Sequence, residues 1–216
     1  MSLTERVYAA LKHDIVTGVL RPGQAVTEND LAGQYSASRT PVREVAVRLQ
    51  EEGLVRIVPN RGYFVTQLTV QEMNDVYEYR AAVESACAAL ACGVNIPSKL
   101  MSELEAAAKF RRHESSYADF IAADTAFHIG IARLTQNALM VRAVSQMRTQ
   151  MERIMFAAVD SVDPGYYGEL PAREHAAILQ AIRHNDPQLA RRLMHEHIIG
   201  GKNKVLELAR RGSQFF

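Results

Sequence analysis

Apolar residues recur at helical spacing along most of the chain, and the pattern breaks only between residues 53 and 66. At the start, Leu3, Val7, Ala10, Leu11 and Ile15 form one stripe, which Arg21-Pro22-Gly23 ends. Thr27 precedes Glu28, Asn29, Asp30 and Leu31, so a second helix is predicted from Thr27 through Tyr35, with a tight turn at Ser36-Ala37. Ser38 then opens a third run, in which Val42, Val45, Ala46 and Leu49 keep helical spacing as far as Gly53. Beyond Gly53 the period changes. Leu54, Val55, Ile57 and Val58, then Tyr63, Phe64 and Val65, flank Pro59-Asn60-Arg61-Gly62 and read as a hairpin. Helices joined by a tight turn and followed by a hairpin predict a winged helix-turn-helix over residues 1–66, with Arg61 at the wing tip.

Residues 67–70 make a short polar connection, and from Thr69 onward the helical period persists with no further strand signal. Six helices are predicted, over 69–92, 98–112, 116–134, 137–160, 167–184 and 186–211. The breaks fall at Gly93 to Pro97, His113 to Ser115, Gln136, Asp163-Pro164-Gly165 and Asn185-Asp186-Pro187. The predicted fold is mainly α: a winged helix-turn-helix, then an all-α six-helix bundle over 71–212 that can enclose a small-molecule pocket.

The hexapeptide Ser38-Arg39-Thr40-Pro41-Val42-Arg43 carries the first candidate chemistry. Ser38 is a good N-cap residue, because its hydroxyl can accept from orphan N–H groups of the first turn. Arg39 and Arg43 stand four apart and share a face, while the Val42 stripe packs down. Positive charge at the N-terminus of such a helix suits the major groove of DNA. An ordinary surface helix with solvated arginines would read the same way in isolation, so the surrounding helix-turn-helix and wing carry the argument. Charge does not: the whole chain is +1, and residues 1–66 hold eight Lys and Arg against seven Asp and Glu. DNA affinity must then come from placement and from two half-sites in a dimer.

The second candidate lies in polar residues on apolar stripes. Asp124 and His128 fall within the stripe Phe120, Ile121, Phe127, Ile131 and Leu134. His175 shares a face with Ile178, Leu179 and Ile182, and His197 stands beside Leu193, Met194 and Ile198. Three histidines and a carboxylate would thus point into one bundle interior, where joint coordination of a divalent metal offsets the cost of burying them. For each histidine alone, a hydrogen-bonded core role is the simpler reading. His13, His113, His184 and His195 do not share the inward pattern and are expected in solvent. Arg80 lies on the stripe Met73, Val76, Tyr77, Val83 and Cys87, with Glu84 one turn on as a salt-bridge partner.

Composition excludes disorder and fibrous classes, and no run of 18 apolar residues or apolar leader occurs, so no membrane partner and a cytoplasmic location are expected. Cys87 and Cys92, five apart in a helical segment, suit neither a disulfide nor a Cys-x-x-Cys site and are expected as small core residues.

Leu20-Arg-Pro-Gly-Gln, Ser38-Arg-Thr-Pro-Val-Arg-Glu, Leu49 with Glu52-Gly-Leu-Val, and Pro59-Asn-Arg-Gly-Tyr-Phe-Val resemble the DNA-binding domain of the GntR superfamily of bacterial transcription regulators. Asp124-x-x-x-His128 after Phe127, Glu174-His175 with Ile178 and Ala181-Ile182, and Met194-x-x-His197 resemble the FCD ligand-binding domain of its FadR-like subgroup, in the shorter VanR-type form. The resemblance implies DNA contacts at Arg39, Thr40 and Arg43 and at Arg61 and Gly62 of the wing, with Ser38 beside them. Ser36 stands where the family often has Gly, and Asn29 where a basic residue is common. The resemblance further implies a divalent ion (Zn, Ni or Mn) on Asp124, His128, His175 and His197, and a small carboxylate effector contacting Arg80. The expected molecule is a homodimeric repressor that leaves a double-stranded inverted-repeat operator when the acid binds. The helical domain would carry effector binding and dimerisation. Two alternatives stay open: a pocket without metal, and a metal-dependent enzyme with an accessory DNA-binding domain, for which Glu174 is the one acid adjacent to a proposed ligand.

Overall fold

In the computed structural model, which describes residues 1–109, 116–158 and 170–210, the first apolar stripe becomes helix α1 (Leu3–Val16), capped by Ser2. Strand β1 (Ala25–Val26), α2 (Glu28–Gln34), α3 (Arg39–Glu51), β2 (Val55–Val58) and β3 (Gly62–Val65) follow. The described residues form two compact units, one through Thr69 and the other starting at Val70. In the first, Val7, Leu11, Ile15, Leu31, Val42, Val45, Ala46, Leu49, Leu54, Tyr63 and Val65 make one core. Val7, Leu11 and Ile15 of the first predicted stripe and the whole Val42 stripe supply it, whereas Leu3 and Ala10, also placed in the first stripe, are exposed.

Helix α2 starts one residue later than predicted, because Thr27 is its N-cap rather than its first turn. Thr27 Oγ1 accepts from Asp30 N–H at 3.2 Å and Asp30 Oδ2 accepts from Thr27 N–H at 3.0 Å, a reciprocal capping box. Ser38 is the N-cap of α3, yet its hydroxyl makes no cap hydrogen bond. The side-chain cap expected of Ser38 is not formed; Pro41, at the third helical position, removes one of the two N–H groups it could accept from, the Thr40 N–H being the other.

The sheet has a strand more than the hairpin predicted, in the antiparallel order β1-β3-β2. Ala25 pairs with Phe64 and Val26 with Tyr63, while Val58 pairs with Gly62 across the hairpin. A two-residue strand leaves no period to read, and only its pairing with β3 defines it. This pairing explains Gly62. Its φ is +94°, and a Cβ there would lie 2.7 Å from the Val26 carbonyl oxygen. Between α2 and α3, Ser36 sits in the left-handed region at φ 50°.

The second unit contains α4 (Val70–Leu90), α5 (Ser98–Ala108), α6 (Tyr117–Leu134), α7 (Ala138–Ala158), α8 (Leu170–Arg183) and α9 (Pro187–Arg210). The predicted ends at 110–112, 159–160, 167–169 and 211, and the predicted breaks at His113 to Ser115 and Asp163 to Gly165, lie outside the described residues. Where the breaks are described, backbone chemistry accounts for them. Gln136 and Asn185 take left-handed φ values of 55° and 56°. Asn137 Oδ1 accepts from Leu139 N–H at 3.0 Å and Asp186 Oδ1 from Leu189 N–H at 2.9 Å, starting α7 and α9. Helix α4 packs most extensively against α9, and α6 packs on α5 and α7. Cys87 is buried, Cys92 half-buried, and both are free thiols.

Ser36→Gly should stabilise the first unit by up to about 1 kcal/mol, because relief of left-handed strain exceeds the entropy glycine adds to the unfolded chain. Gly62→Ala should cost about 1–3 kcal/mol through strain and the clash with Val26. Chemical denaturation of both variants beside wild type reads the two signs.

Candidate nucleic-acid interface and candidate metal centre

In the first unit, α3 turns Val42, Val45, Ala46 and Leu49 into the core, which leaves Ser38, Arg39, Thr40 and Arg43 exposed on its other face. The Arg39 and Arg43 side chains are 64% and 67% exposed. Arg61 is exposed at the hairpin turn, where its N–H donates to Val58 O at 3.0 Å. Gly62 is half-buried beside it, and the close approach of Val26 accounts for glycine there without any ligand.

In the second unit the structure brings together the four residues picked from the stripes. The His128, His175 and His197 Nε2 atoms and an Asp124 oxygen converge from α6, α8 and α9, all within 4.8 Å of one another. His197 Nε2 is 3.2 Å from His175 Nε2 and 3.3 Å from His128 Nε2. Asp124 Oδ1 is 3.6 Å from His175 Nε2 and 3.7 Å from His128 Nε2. Ligands about 2.1 Å from one ion stand roughly 3.0–3.4 Å apart in octahedral or tetrahedral shells, so these separations are close to the edges of a coordination polyhedron.

The surrounding hydrogen bonds decide which nitrogens face inward. His197 Nδ1 lies 2.7 Å from Glu174 Oε2, and His128 Nδ1 meets Glu84 Oε2. A carboxylate at Nδ1 places the imidazole proton there and leaves Nε2 as a lone pair. Two such lone pairs facing each other at 3.3 Å repel, and a cation between them removes the repulsion. The His175 ring is held by stacking on Phe127, with centroids 3.9 Å apart. Arg80 forms the expected salt bridge, its Nε donating to Glu84 Oε1 at 2.7 Å, and its Nη2 stands 3.5 Å from His128 Nε2.

Burial opposes ionisation of Asp124, but Arg148 overcomes it and holds the carboxyl well below the usual range. Glu84 follows the same pattern, with burial opposed by Arg80 and then His128, so it too stays ionised. Burial, then His197 repulsion, pushes His175 well below its ordinary value. Burial also lowers His197, against the pull of Glu174. Burial thus favours the uncharged imidazole at His175 and His197, and Asp124 supplies a carboxylate beside them, nitrogen and oxygen donors that borderline divalent ions accept.

A cavity of about 140 Å³ adjoins this cluster, with Arg80, Asp124, Glu174 and His197 in its wall beside Tyr77, Phe120, Met151, Met155 and Ile198. It is below the roughly 300–1,000 Å³ of drug-sized pockets, and so suits a small metabolite. His13, His184 and His195 are exposed, and His113 lies outside the described residues.

A model of the FCD domain matches residues 75–200. A model of bacterial regulatory proteins of the gntR family matches residues 3–65. The chain belongs to the gntR family, with an FCD domain. This regulator is 25% identical over 217 residues to the HTH-type transcriptional repressor RspR of Escherichia coli (strain K12), 99% of this chain and 93% of that one. It is 32% identical over 143 residues to the Nta operon transcriptional regulator of Aminobacter aminovorans, 63% of this chain and 64% of that one. The solved structure of E. coli McbR/YncC superposes with a TM-score of 0.76 at 21% identity, covering 97% of this chain and 99% of that one. A transcriptional regulator GntR from Rhodococcus sp. RHA1 does so with 0.73 at 23% identity, covering 96% and 99%. At these identities the two structures share the fold. Membership of the gntR family with an FCD domain makes the protein a ligand-responsive, DNA-binding regulator of transcription rather than a member of an enzyme family. Among the described residues, no helix is long and apolar enough to cross a membrane.

Sequence reasoning missed Arg148, whose Nη2 binds Asp124 Oδ2 and reaches Thr125 Oγ1 at 3.2 Å. Arg148 is 1% exposed and stands one turn from buried Val144 and Met151 on α7, so like Arg80 it is a charged interruption of an apolar stripe that the sequence displays. Glu84 was seen only as a partner of Arg80, because its second partner, His128, comes from a distant helix. Glu174, the acid available to an enzymatic reading, is engaged with His197. Glu84→Gln should destabilise the FCD domain by about 3–5 kcal/mol, since it leaves the Arg80 guanidinium buried without its counter-ion. Denaturation of chelator-treated protein measures this apart from any metal effect.

Proposed function

We propose that this gntR-family protein is a homodimeric, cytoplasmic repressor that releases an inverted-repeat operator when a small organic acid enters the FCD cavity. Residues 1–66 bind DNA, 67–70 link, and 71–212 bind effector and dimerise. Ser38, Arg39, Thr40 and Arg43 address the major groove, with Arg61 and Gly62 at the wing. Asp124, His128, His175 and His197 hold a divalent ion (Zn, Ni or Mn), and Arg80 takes a carboxylate of the effector. The observation that carries the metal reading is the meeting of three Nε2 atoms and one carboxylate oxygen within 4.8 Å, with two of the rings oriented by carboxylates behind them.

The ion, when bound, supplies a concentrated positive charge on which an acid's oxygen can rest. The chain's own residues do the rest. Glu84 holds the Arg80 guanidinium by its Nε, in the cavity wall. Arg148 occupies Asp124 Oδ2, so Oδ1 is the oxygen left toward the histidines. Tyr77, Phe120 and Met151 keep the cavity apolar on other sides, which strengthens charge recognition. Repression is supported by the name of the relative RspR, a repressor. With a near-neutral DNA-binding unit, two half-sites are needed for useful affinity, so an acid that favours a dimer state with mismatched spacing weakens binding.

Arg39→Ala with Arg43→Ala should abolish specific operator binding in a gel shift while leaving helicity and metal content unchanged; full retention of binding would end the recognition-helix assignment. Elemental analysis of protein purified without chelator should find about one divalent ion per chain, lost in His128→Ala and His175→Ala. Metal no higher than background in wild type would instead support an effector held directly by the histidines and Arg80.

A further inference from the structure

One carboxylate ties together the three elements of the DNA-binding unit that face the proposed DNA surface. Glu28, the first residue of α2, has 21% of its side chain exposed. Its Oε2 accepts from Arg43 Nε at 2.7 Å on α3 and from the Tyr63 hydroxyl at 3.3 Å on β3. Its Oε1 is 4.0 Å from Arg39 Nε. Arg43 holds the Glu28 carboxyl below its ordinary range, so it stays ionised wherever DNA is bound. An anion here opposes phosphate binding, and a unit with a net charge of only +1 has little attraction to spare. A purely electrostatic DNA binder gains nothing from it.

Geometry gives the carboxylate a use. A guanidinium reads guanine through the two end-on Nη groups, which donate to O6 and N7. A carboxylate bound at Nε takes the side of the guanidinium and leaves that end-on fork free. Arg39 and Arg43 are also like charges four apart on one helix, which repel unless an anion sits between them. We propose that Glu28 is a positioning residue for sequence specificity: it holds Arg43 side-on and Arg39 close by, so that their forks are presented to base edges instead of following phosphates. The proposal rests on the DNA-binding function of the family, not on the metal or effector reading.

The test uses full-length protein. Duplexes selected from a randomised pool by wild type supply the specific probe, and a scrambled duplex of the same composition the non-specific one. In Glu28→Gln the ratio of specific to non-specific affinity should fall roughly tenfold, the discrimination of one bidentate base contact, with binding to the scrambled duplex equal to or tighter than wild type. The Arg43→Met background should abolish the effect of Glu28→Gln on that ratio. A ratio within twofold of wild type in Glu28→Gln overturns the proposal, whether both affinities fall together or neither moves. A measurement on wild type guards against misfolding of the variant. The Arg43 Nε–H signal in ¹⁵N spectra should stay protected in the selected-duplex complex, and its loss on binding that duplex overturns the proposal as well.

Discussion

Charged groups inside a helical bundle must satisfy one another, and the second unit is organised by that requirement. Arg80 with Glu84, Arg148 with Asp124, and His197 with Glu174 are three pairings drawn from α4, α6, α7, α8 and α9. Each uses one side of a polar group and thereby fixes what the other side can do. Glu84 at His128 Nδ1 turns Nε2 inward; Glu174 does the same for His197; Arg148 leaves Asp124 one oxygen. The convergence of the three Nε2 atoms and one carboxylate oxygen is thus a consequence of the pairings behind them. Burying ions is costly unless they are paired, which is why removing one partner is expected to cost more than the pair contributes.

The DNA-binding unit follows a different logic. Its core is apolar, and its functional groups stand outside on short side chains of structure held by capping and strand pairing. Its net charge is only +1, so under the proposed DNA-binding role the direction of its arginines matters more than their number. Glu28 accepts from both Arg43 and Tyr63, and Gly62 allows β3 to approach β1 closely enough to seat the wing. Pro41 withholds one of the two N–H groups that the Ser38 hydroxyl could cap.

Residues with a local signature were legible early. Thr27, Ser116, Asn137 and Asp186 announce helix starts, and Val42, Val45, Ala46 and Leu49 announce a buried face, because capping and periodicity act within one turn. Asp124, His128, His175 and His197 could be picked for the same reason, as polar interruptions of apolar stripes. Strand β1 could not, since two residues carry no period and exist as a strand only through β3. Ser38 takes the N-cap position its residue type announces but without the side-chain bond, and Pro41 removes one of its two possible donors.

What the sequence by itself determined is the succession of helices, the buried face of α3 and most of that of α1, the helix-turn-helix with its hairpin, and the four polar residues that face the bundle interior. These depend on interactions within a few residues of one another. Only the tertiary structure decided the partners: Glu84 with His128 forty-four positions on, Arg148 with Asp124, Glu28 with Arg43 and Tyr63. A charged side chain reads the same whether its counter-ion is a neighbour or a distant helix, and its tautomer, protonation and direction follow from the group that packing brings against it.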